Sequence, residues 1–382
     1  MTDVASHSTA GRHTTPAVEV PVERVDVAVY EVPTDQPEAD GTMAWTSTTA
    51  VVVQVHAGGE VGLGWTYAAA AAAGVVSDLL APVAVGRDVR DVPATWGAMQ
   101  RQLRNVGRPG IASCALSAVD VALWDCAARV SGLSAVRLLG RARERVPVYG
   151  SGGFTTYDDA TATAQLRHWV DELGLPRVKI KIGESWGHDV RRDLARTQHA
   201  RAVVGDDTEL FVDANGGYAV GQAVRVGAAL DDLGVAWFEE PVSSDDTDGL
   251  RHVRERVRCD VAAGEYAWSL SDAERLCHNG SVDCLQADAT RCGGWTEWLR
   301  VAAVAAAHHL DVSAHCAPAL HAPVAAAAPN LRHVEWFHDH VRVERLLLEG
   351  VQDPVDGDLV PDLTTPGHGL RVAPGAAGYR VG

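Results

Sequence analysis

Short β-rich segments, mostly separated by amphipathic helical stretches, recur between residues 146 and 337, and this repetition restricts the fold more than any other feature. The segments are VPVYGSG (146–152), VKIKIG (178–183), ELFVDAN (209–215), VAWFEEP (235–241), DVAAGE (260–265), DCLQADA (283–289), LDVSAH (310–315) and HVEWF (333–337). Strands that alternate with helices form parallel sheets, and eight of them favour a closed barrel over an open sheet. We therefore predict an α/β fold built around a parallel barrel.

The N-terminal part of the chain has a different pattern. Residues 25–32, 48–55 and 59–67 are predicted strands, and the HAGG turn between the last two predicts a hairpin. Residues 117–132 have the apolar spacing of a helix that ends at a glycine. The polar residues 1–21 are expected to be a disordered lead-in, and the tail from about 341 is expected to pack back onto the N-terminal layer.

Polar residues mark the C-terminal ends of the last seven β-rich segments, which is the face of such a barrel where chemistry takes place. They are Lys179, Lys181, Asp213, Asn215, Glu239, Glu265, Asp288, His315 and Glu335. We predict that these side chains meet in one active site.

The acids show the most informative spacing. Asp213 precedes Glu239 by 26 residues, and Glu239 precedes Glu265 by 26, so three adjacent strands each deliver one carboxylate. Carboxylates this close repel one another and raise each other's pKa. Mg²⁺ resolves the repulsion because it prefers oxygen ligands and keeps positions open for substrate oxygens. We predict one Mg²⁺ per site, bound by these three acids.

Two lysines one residue apart, Lys179 and Lys181, share one face of their strand. Alone, this pattern is typical of a sheet with one solvated side. Barrel strands are buried on both faces, however, and a buried ammonium is costly unless it is paired. The lysines are therefore expected in the site.

A Mg²⁺ ion with a lysine on one side and a histidine on the other suits removal of a proton α to a carboxylate. The resulting enediolate needs electrophilic stabilisation, which we assign to the metal and Lys179. Lys181 is the expected base, with its pKa lowered by Lys179 and partial burial. His315, held by Asp288, is the expected base on the other face of the substrate. A protonated Glu335 is expected to donate a hydrogen bond to the substrate.

Composition excludes several other classes of function. The formal net charge of −17 argues against nucleic acid or an anionic membrane as a partner. The seven scattered cysteines are typical of reduced thiols, which favours a cytoplasmic location. The alanine-rich run 67–80 is interrupted by Asp78 and is too short for a membrane span.

Taken in order, VKIKIG, FVDANGGY, WFEEPV, AAGE, ADATRCGG and SAH resemble the enolase superfamily, in particular its mandelate racemase subgroup. The resemblance covers residues 22–375 and implies an α+β capping domain (22–140), a (β/α)₇β modified TIM barrel (141–340) and a C-terminal segment (341–382). The resemblance implies the same roles as the residue pattern above. The metal ligands are Asp213, Glu239 and Glu265, the bases are Lys181 and the His315–Asp288 pair, and the acid on the last strand is Glu335. In the muconate-lactonising branch the second base is a lysine on the sixth strand. The corresponding segment here, ADATRCGG, contains no lysine, which separates the chain from that branch. The resemblance also implies a homo-oligomer, from dimer to octamer.

The substrate and outcome stay open at this stage. An acid-sugar dehydratase acting on aldonates or aldarates is favoured, a racemase or epimerase of a 2-hydroxy acid is the alternative, and a non-catalytic carboxylate-binding scaffold is a remote one. Asn215, Lys179 and Glu335 are expected to bind substrate, together with Asp35 and Asp40 of a predicted cap loop, 33–45. Cys316 is expected to point away from the site. The role of the His338–Asp339–His340 cluster is not assigned beyond that of a substrate-loop element.

Overall fold

The computed structural model describes residues 18–381. Of the predicted lead-in, residues 1–17 lie outside the described residues. At its end, the Val20 backbone N–H donates to Asp88 Oδ2 at 3.1 Å, and Pro21 forms an isolated bridge with Asp88.

An antiparallel sheet of three long strands opens the fold, and helices cover one side of it. The strands are β1 (Val22–Ala39), β2 (Ala44–Ala57) and β3 (Glu60–Tyr67). The helices are α1 (Ala71–Val75), α2 (Ala81–Ala84), α3 (Val92–Gln102), α4 (Ile111–Val130) and α5 (Ala135–Leu139), with a π-helical turn over Val76–Leu80 and a 3₁₀ turn over Leu103–Asn105. The three predicted strands and the β2–β3 hairpin are confirmed.

The prediction that residues 33–45 form a loop is wrong, because most of them belong to strands. Strand β1 continues to Ala39 and β2 starts at Ala44, so only the turn between them is irregular. The pairing shifts register between Pro33 and Glu38, which is a bulge that lets both strands extend beyond the sheet. The segment is therefore a hairpin arm rather than a loop.

Helix α4 packs closely on the sheet because two glycines of β3 face it. A Cβ on Gly62 or Gly64 would lie 2.2 Å from a helix carbonyl oxygen, that of Ala122 or Ala118. Among the described helices, α4 is long and apolar enough to cross a membrane, but 89% of its apolar window is buried inside the protein. Its apolar surface is used for packing in the core between sheet and helices.

Eight parallel strands form the second layer and close into a barrel, since β11 pairs with β4. They are β4 (Val146–Gly152), β5 (Arg177–Lys181), β6 (Glu209–Asp213), β7 (Val235–Glu239), β8 (Asp260–Ala263), β9 (Cys284–Ala287), β10 (Asp311–Ala314) and β11 (Leu331–Phe337). The predicted barrel is confirmed, each strand lying within its predicted segment or extending it by a few residues.

Helices surround the barrel between its strands. They are α6 (Asp159–Arg167), α7 (Glu184–Gly187), α8 (Val190–Val204), α9 (Val220–Asp232), α10 (Thr247–Arg254), α11 (Leu270–His278), α12 (Gly294–Ala307), α13 (Pro318–Ala326) and α14 (His338–Leu347), with a π-helical turn over His168–Glu172. The large apolar core lies between these helices and the strands.

The chain ends in short strands that touch both layers: β12 (Leu348–Glu349), β13 (Asp358–Leu359), β14 (Arg371–Val372) and β15 (Arg380–Val381), with a 3₁₀ turn over Pro374–Tyr379. Strand β13 pairs with β4 of the barrel, and β15 pairs with β1 of the N-terminal sheet. The exact domain boundaries stay a prediction.

Candidate active site

Three carboxylates stand side by side at the C-terminal mouth of the barrel. Asp213 ends β6, Glu239 ends β7, and Glu265 follows β8 by two residues. The strand register sets Asp213 directly beside Glu239. All three are buried, and one oxygen from each lies within 4.8 Å of the other two. The equal spacing in the sequence therefore does correspond to one cluster, while the ligand roles stay a prediction.

The cluster fits a hard divalent cation. Its donors are all carboxylate oxygens, the ligand type that Mg²⁺ prefers. Glu265 Oε2 is buried and accepts no well-aligned hydrogen bond from the described residues, although His315 Nε2 lies 3.3 Å away. An oxygen in this state is free to bind a cation.

Both lysines of β5 point into the barrel, so the solvated-face interpretation of the KxK pattern is wrong. Lys179 is completely buried and Lys181 is 5% exposed. Lys181 Nζ contacts Asp213 Oδ2 and lines the cavity above the cluster.

Lys179 lies deeper than expected. Its ammonium is 2.6 Å from Glu239 Oε1 and 2.8 Å from Glu335 Oε1, and 3.4 Å from the Tyr149 hydroxyl. It is not among the described residues that line the cavity. Its position two residues earlier on the strand is one layer further from the mouth, and its predicted contact with substrate stays a prediction. Lys179 fixes two carboxylates.

The pKa of Lys181 is also shifted in the direction opposite to the prediction. Burial lowers it, and so does Lys179, but the Asp213 carboxylate and its neighbours outweigh both and raise the pKa above its usual value. Mg²⁺ neutralises the same carboxylates, so its binding opposes this rise while the two lowering effects persist.

His315 and Asp288 form the predicted pair. His315 Nδ1 is 2.8 Å from Asp288 Oδ2, which leaves Nε2 to face the cavity beside Glu265. Asp288 Oδ1 also accepts hydrogen bonds of 2.7 Å from the backbone N–H and the hydroxyl of Thr290, so the carboxylate is held rigidly. Burial lowers the pKa of His315, but the surrounding carboxylates outweigh it and raise the pKa well above its usual value.

Glu335, on β11, is a hydrogen-bond acceptor rather than the predicted donor. Burial raises its pKa, but Lys179, His315 and Lys181 together outweigh burial and lower the pKa below its usual value. The ionised carboxylate accepts from Ser151 Oγ at 2.6 Å and from the Cys316 backbone N–H at 2.9 Å. These contacts favour the ionised form of Glu335, and its predicted hydrogen bond to substrate stays a prediction.

Cys316 faces the site, contrary to the prediction that it points away. Its Sγ is 3.3 Å from His315 Nε2 and 3.4 Å from Glu335 Oε2. The alternation of a strand does not apply here because Cys316 and Ala317 both have left-handed φ values, 51° and 42°. Burial raises the pKa of the thiol, so it is neutral.

A cavity of about 410 Å³ lies between this cluster and the hairpin arm. Asn215 lines it, with a left-handed φ of 45° and a buried side-chain oxygen that has no donor among the described residues. Asp40 also lines it, but its Oδ1 caps the turn by accepting from the Thr42 and Met43 backbone N–H groups at 2.5 and 2.7 Å. Asp35 lies outside the described lining and is 3.1 Å from His338 Nε2, and its predicted contact with substrate stays a prediction.

The unassigned cluster after β11 divides between two places. Asp339 and His340 line the cavity, and the His340 ring stacks on Tyr67 with centroids 3.6 Å apart. Burial lowers the pKa of His340 to about 3, so this ring is neutral. His338 faces away, towards Asp35.

Sequence reasoning missed two ionisable groups. Arg291 Nη1 is 3.1 Å from Glu265 Oε1, and its Nε is 3.4 Å from Asp288 Oδ2. Glu240 is buried beside Glu239, and burial together with the Glu265 charge raises its pKa well above the usual value. Arg291 lies in the motif ADATRCGG and Glu240 in WFEEP, four residues and one residue past a strand end, and such positions do not show which way the side chain turns.

A closed parallel barrel under a capping sheet, with three acids between a lysine and a histidine at its mouth, defines a class of metal-dependent barrel enzymes. The sequence matches the family described as "Enolase C-terminal domain-like" over residues 161–376, and "Mandelate racemase / muconate lactonizing enzyme, N-terminal domain" over 24–140. The chain belongs to the enolase superfamily, in its mandelate racemase subgroup.

Two relatives of known activity are similar to this chain. An L-talarate/galactarate dehydratase of Salmonella typhimurium is 31% identical over 66% of this chain, and the match spans 64% of that enzyme's length. A D-galactarolactone cycloisomerase of Agrobacterium fabrum is 32% identical over 74% of each chain.

Two solved structures agree in fold. A mandelate racemase/muconate lactonizing enzyme-like protein from Rubrobacter xylanophilus is 47% identical, with a TM-score of 0.91 over 94% of this chain and 100% of that one. A racemase from Streptomyces coelicolor, crystallised with magnesium, is 28% identical, with a TM-score of 0.87 over the same shares. The protein is an enzyme, a lyase or racemase, and its cofactor is Mg²⁺. The non-catalytic scaffold is thereby set aside.

Proposed function

We propose that the protein is an acid-sugar dehydratase that removes the α-proton of a hydroxy carboxylate and expels a β-hydroxyl as water. The observation that carries the proposal is the pair Lys181 and His315, which line one cavity on either side of the acid cluster. Lys181 lies on β5, and His315 follows β10, three strands away around the closed barrel. A substrate between them meets a proton-transfer group on each face.

Asp213, Glu239 and Glu265 would hold Mg²⁺, which when bound stabilises the negative charge that develops on the substrate carboxylate. Lys181 Nζ then takes the α-proton as its C–H bond breaks. His315 Nε2, oriented by Asp288 on its other nitrogen, gives a proton to the β-hydroxyl as its C–O bond breaks. Water leaves, and the enol becomes a 2-keto acid.

The remaining polar groups have supporting roles in this proposal. Lys179 is a positioning residue, because its two short contacts hold Glu239 and Glu335 without reaching the cavity. Asn215 is assigned to the substrate, since its side-chain oxygen is unpartnered among the described residues and the side chain lines the cavity. An amide there suits a substrate hydroxyl, which both donates and accepts.

Charge in the cavity favours aldonates, which carry one carboxylate, over aldarates, which carry two. The described lining contains one lysine and one arginine, Lys181 and Arg291, and both already contact carboxylates of the site. The cap side of the lining presents Asp40 and Asp339 instead. A second substrate carboxylate at that end would face like charge.

The proposal is tested by screening matched aldonic and aldaric acids for 2-keto product in the presence of Mg²⁺. We expect product from aldonates, with kcat/KM about tenfold or more above that of the matching diacid, the effect of roughly 1.4 kcal/mol of charge repulsion. Lys181 and His315, on opposite faces of the substrate, would also permit the reaction of a racemase or epimerase. Inversion of the α-carbon with solvent-derived deuterium and without keto product would establish that alternative and overturn dehydration.

A further inference from the structure

A second group of metal-binding side chains lies outside the acid cluster, at the rim of the barrel. It consists of Asp35 and Glu38 of β1 and His338, the first residue of α14, and we call it the rim cluster. One potential ligand atom from each residue lies within 4.8 Å of the other two. Asp35 Oδ2 is 3.1 Å from His338 Nε2. The cluster thus joins the hairpin arm to the barrel.

The bulge in β1 brings the two acids together. In a regular strand, residues three apart point to opposite faces. The register shift between Pro33 and Glu38 breaks that alternation, and Asp35 and Glu38 then approach the same imidazole. Bulges redirect side chains in this way next to functional sites.

Hydrogen bonds within the rim cluster do not explain why the Glu38 carboxyl group is buried. It is only 1% exposed, and its Oε2 accepts a hydrogen bond of 2.7 Å from Trp45 Nε1. Its other oxygen, Oε1, is buried and has no donor among the described residues. Burial, and next the charge of Asp339, raises the pKa of Glu38 to about 8. The nearby Arg342 donates from Nη2 to Asp339 at 2.7 Å and forms no salt bridge with Glu38 among the described residues. A buried carboxylate oxygen without a donor or a paired cation is suited to a metal ion.

We propose that Asp35, Glu38 and His338 bind a divalent cation of the Zn²⁺ type. Two carboxylates and one imidazole form a mixed oxygen and nitrogen set, which suits Zn²⁺ and its first-row neighbours. Mg²⁺ prefers oxygen ligands alone and therefore belongs to the acid cluster of Asp213, Glu239 and Glu265. Three protein ligands leave a further position for water.

The cation would stabilise the wall of the substrate cavity. Glu38 holds the Trp45 indole, Trp45 lines the cavity, and its ring packs edge-on against Phe154 with centroids 5.5 Å apart. The His338 ring also packs against Phe154, at 6.3 Å. A metal on the rim cluster therefore fixes the hairpin arm over the mouth of the barrel.

The test counts bound metal directly. The full chain is stripped with chelator, dialysed against micromolar Zn²⁺ in millimolar Mg²⁺, and analysed by mass spectrometry for zinc; Co²⁺ loading adds a visible absorption spectrum. We expect about one Zn²⁺ per chain, retained in Glu239→Gln and lost in His338→Ala and Asp35→Asn. Asp35 and His338 are partly exposed, so these variants avoid the folding risk of Glu38→Gln.

His168→Ala is the matched control, because His168 is an exposed histidine 2.8 Å from Glu172 and outside the rim cluster. It should retain the zinc. Absence of zinc from the wild-type chain would overturn the proposal, and so would zinc that is lost in Glu239→Gln but kept in His338→Ala.

Discussion

Replacing Lys181 tests the mechanism most directly. Lys181→Ala should stop exchange of the α-proton with solvent deuterium from one face of the substrate and leave exchange from the His315 face. A single general base contributes roughly 10²–10⁴-fold, which corresponds to about 2.7–5.4 kcal/mol of activation free energy. We expect the full loss because Lys179, the neighbouring amine, is completely buried and committed to Glu239 and Glu335.

Lys181→Arg separates the base from the charge. A guanidinium preserves the positive charge opposite Asp213 but does not lose a proton in proteins, so it cannot act as a base. Exchange should therefore be lost in both the alanine and the arginine variants. If arginine restores exchange, the role of Lys181 is electrostatic.

The assay follows loss of the α-proton signal by NMR in deuterated buffer, with Mg²⁺ and both α-epimers of an active substrate. His315→Asn should show the complementary loss from the other face. Metal binding is measured on the same samples, so that loss of Mg²⁺ is not mistaken for loss of a base. Exchange from both faces in Lys181→Ala would refute the mechanism.

Three further predictions concern the metal, the core and the cap. Glu239→Gln should abolish turnover and weaken Mg²⁺ binding measured by calorimetry, with an unchanged circular dichroism spectrum; full activity in excess EDTA would contradict the metal site. Burial raises the pKa of Asp120 from 3.8 to about 7, so the unfolded chain loses this proton first and stability falls by about 4 kcal/mol between pH 4 and 7. Asp120→Asn should remove that part of the pH dependence of the denaturant midpoint. Asp40→Ala uncaps the turn and should raise KM several-fold while α-proton exchange continues; an unchanged KM across the panel would show that the turn does not shape the cavity.

The sequence is most informative where one strand end supplies one side chain. The equal steps from Asp213 to Glu239 to Glu265 predict their proximity because a βα unit fixes both the length of the step and the end of the barrel reached. The same reasoning places His315 beside Asp288, on adjacent strands. These predictions need only the regular geometry of a parallel barrel.

The structure departs from the sequence-based expectations where depth in the barrel or irregular backbone decides the position of a side chain. Lys179 and Lys181 share a face, yet two residues along a strand separate a buried counter-ion from a group that lines the cavity. Cys316 faces the site because the backbone at Cys316 and Ala317 is left-handed. Neither residue is a glycine, so the sequence does not indicate this conformation. The rim cluster joins residues that are about 300 positions apart along the chain, and a bulge decides whether Asp35 and Glu38 meet at all.

The charges of the site explain why the barrel needs two lysines where one is enough for proton transfer. Besides Glu240, whose raised pKa leaves it neutral, the buried carboxylates around the mouth are Asp213, Glu239, Glu265, Asp288 and Glu335. Lys179 and Arg291 give two permanent positive charges, and Mg²⁺ adds two, so one more positive charge balances the five carboxylates. Lys181 and His315 can share that single charge. One of them is then free to accept a proton while the other has one to give, which is the condition for removing a proton and expelling a hydroxyl in the same site.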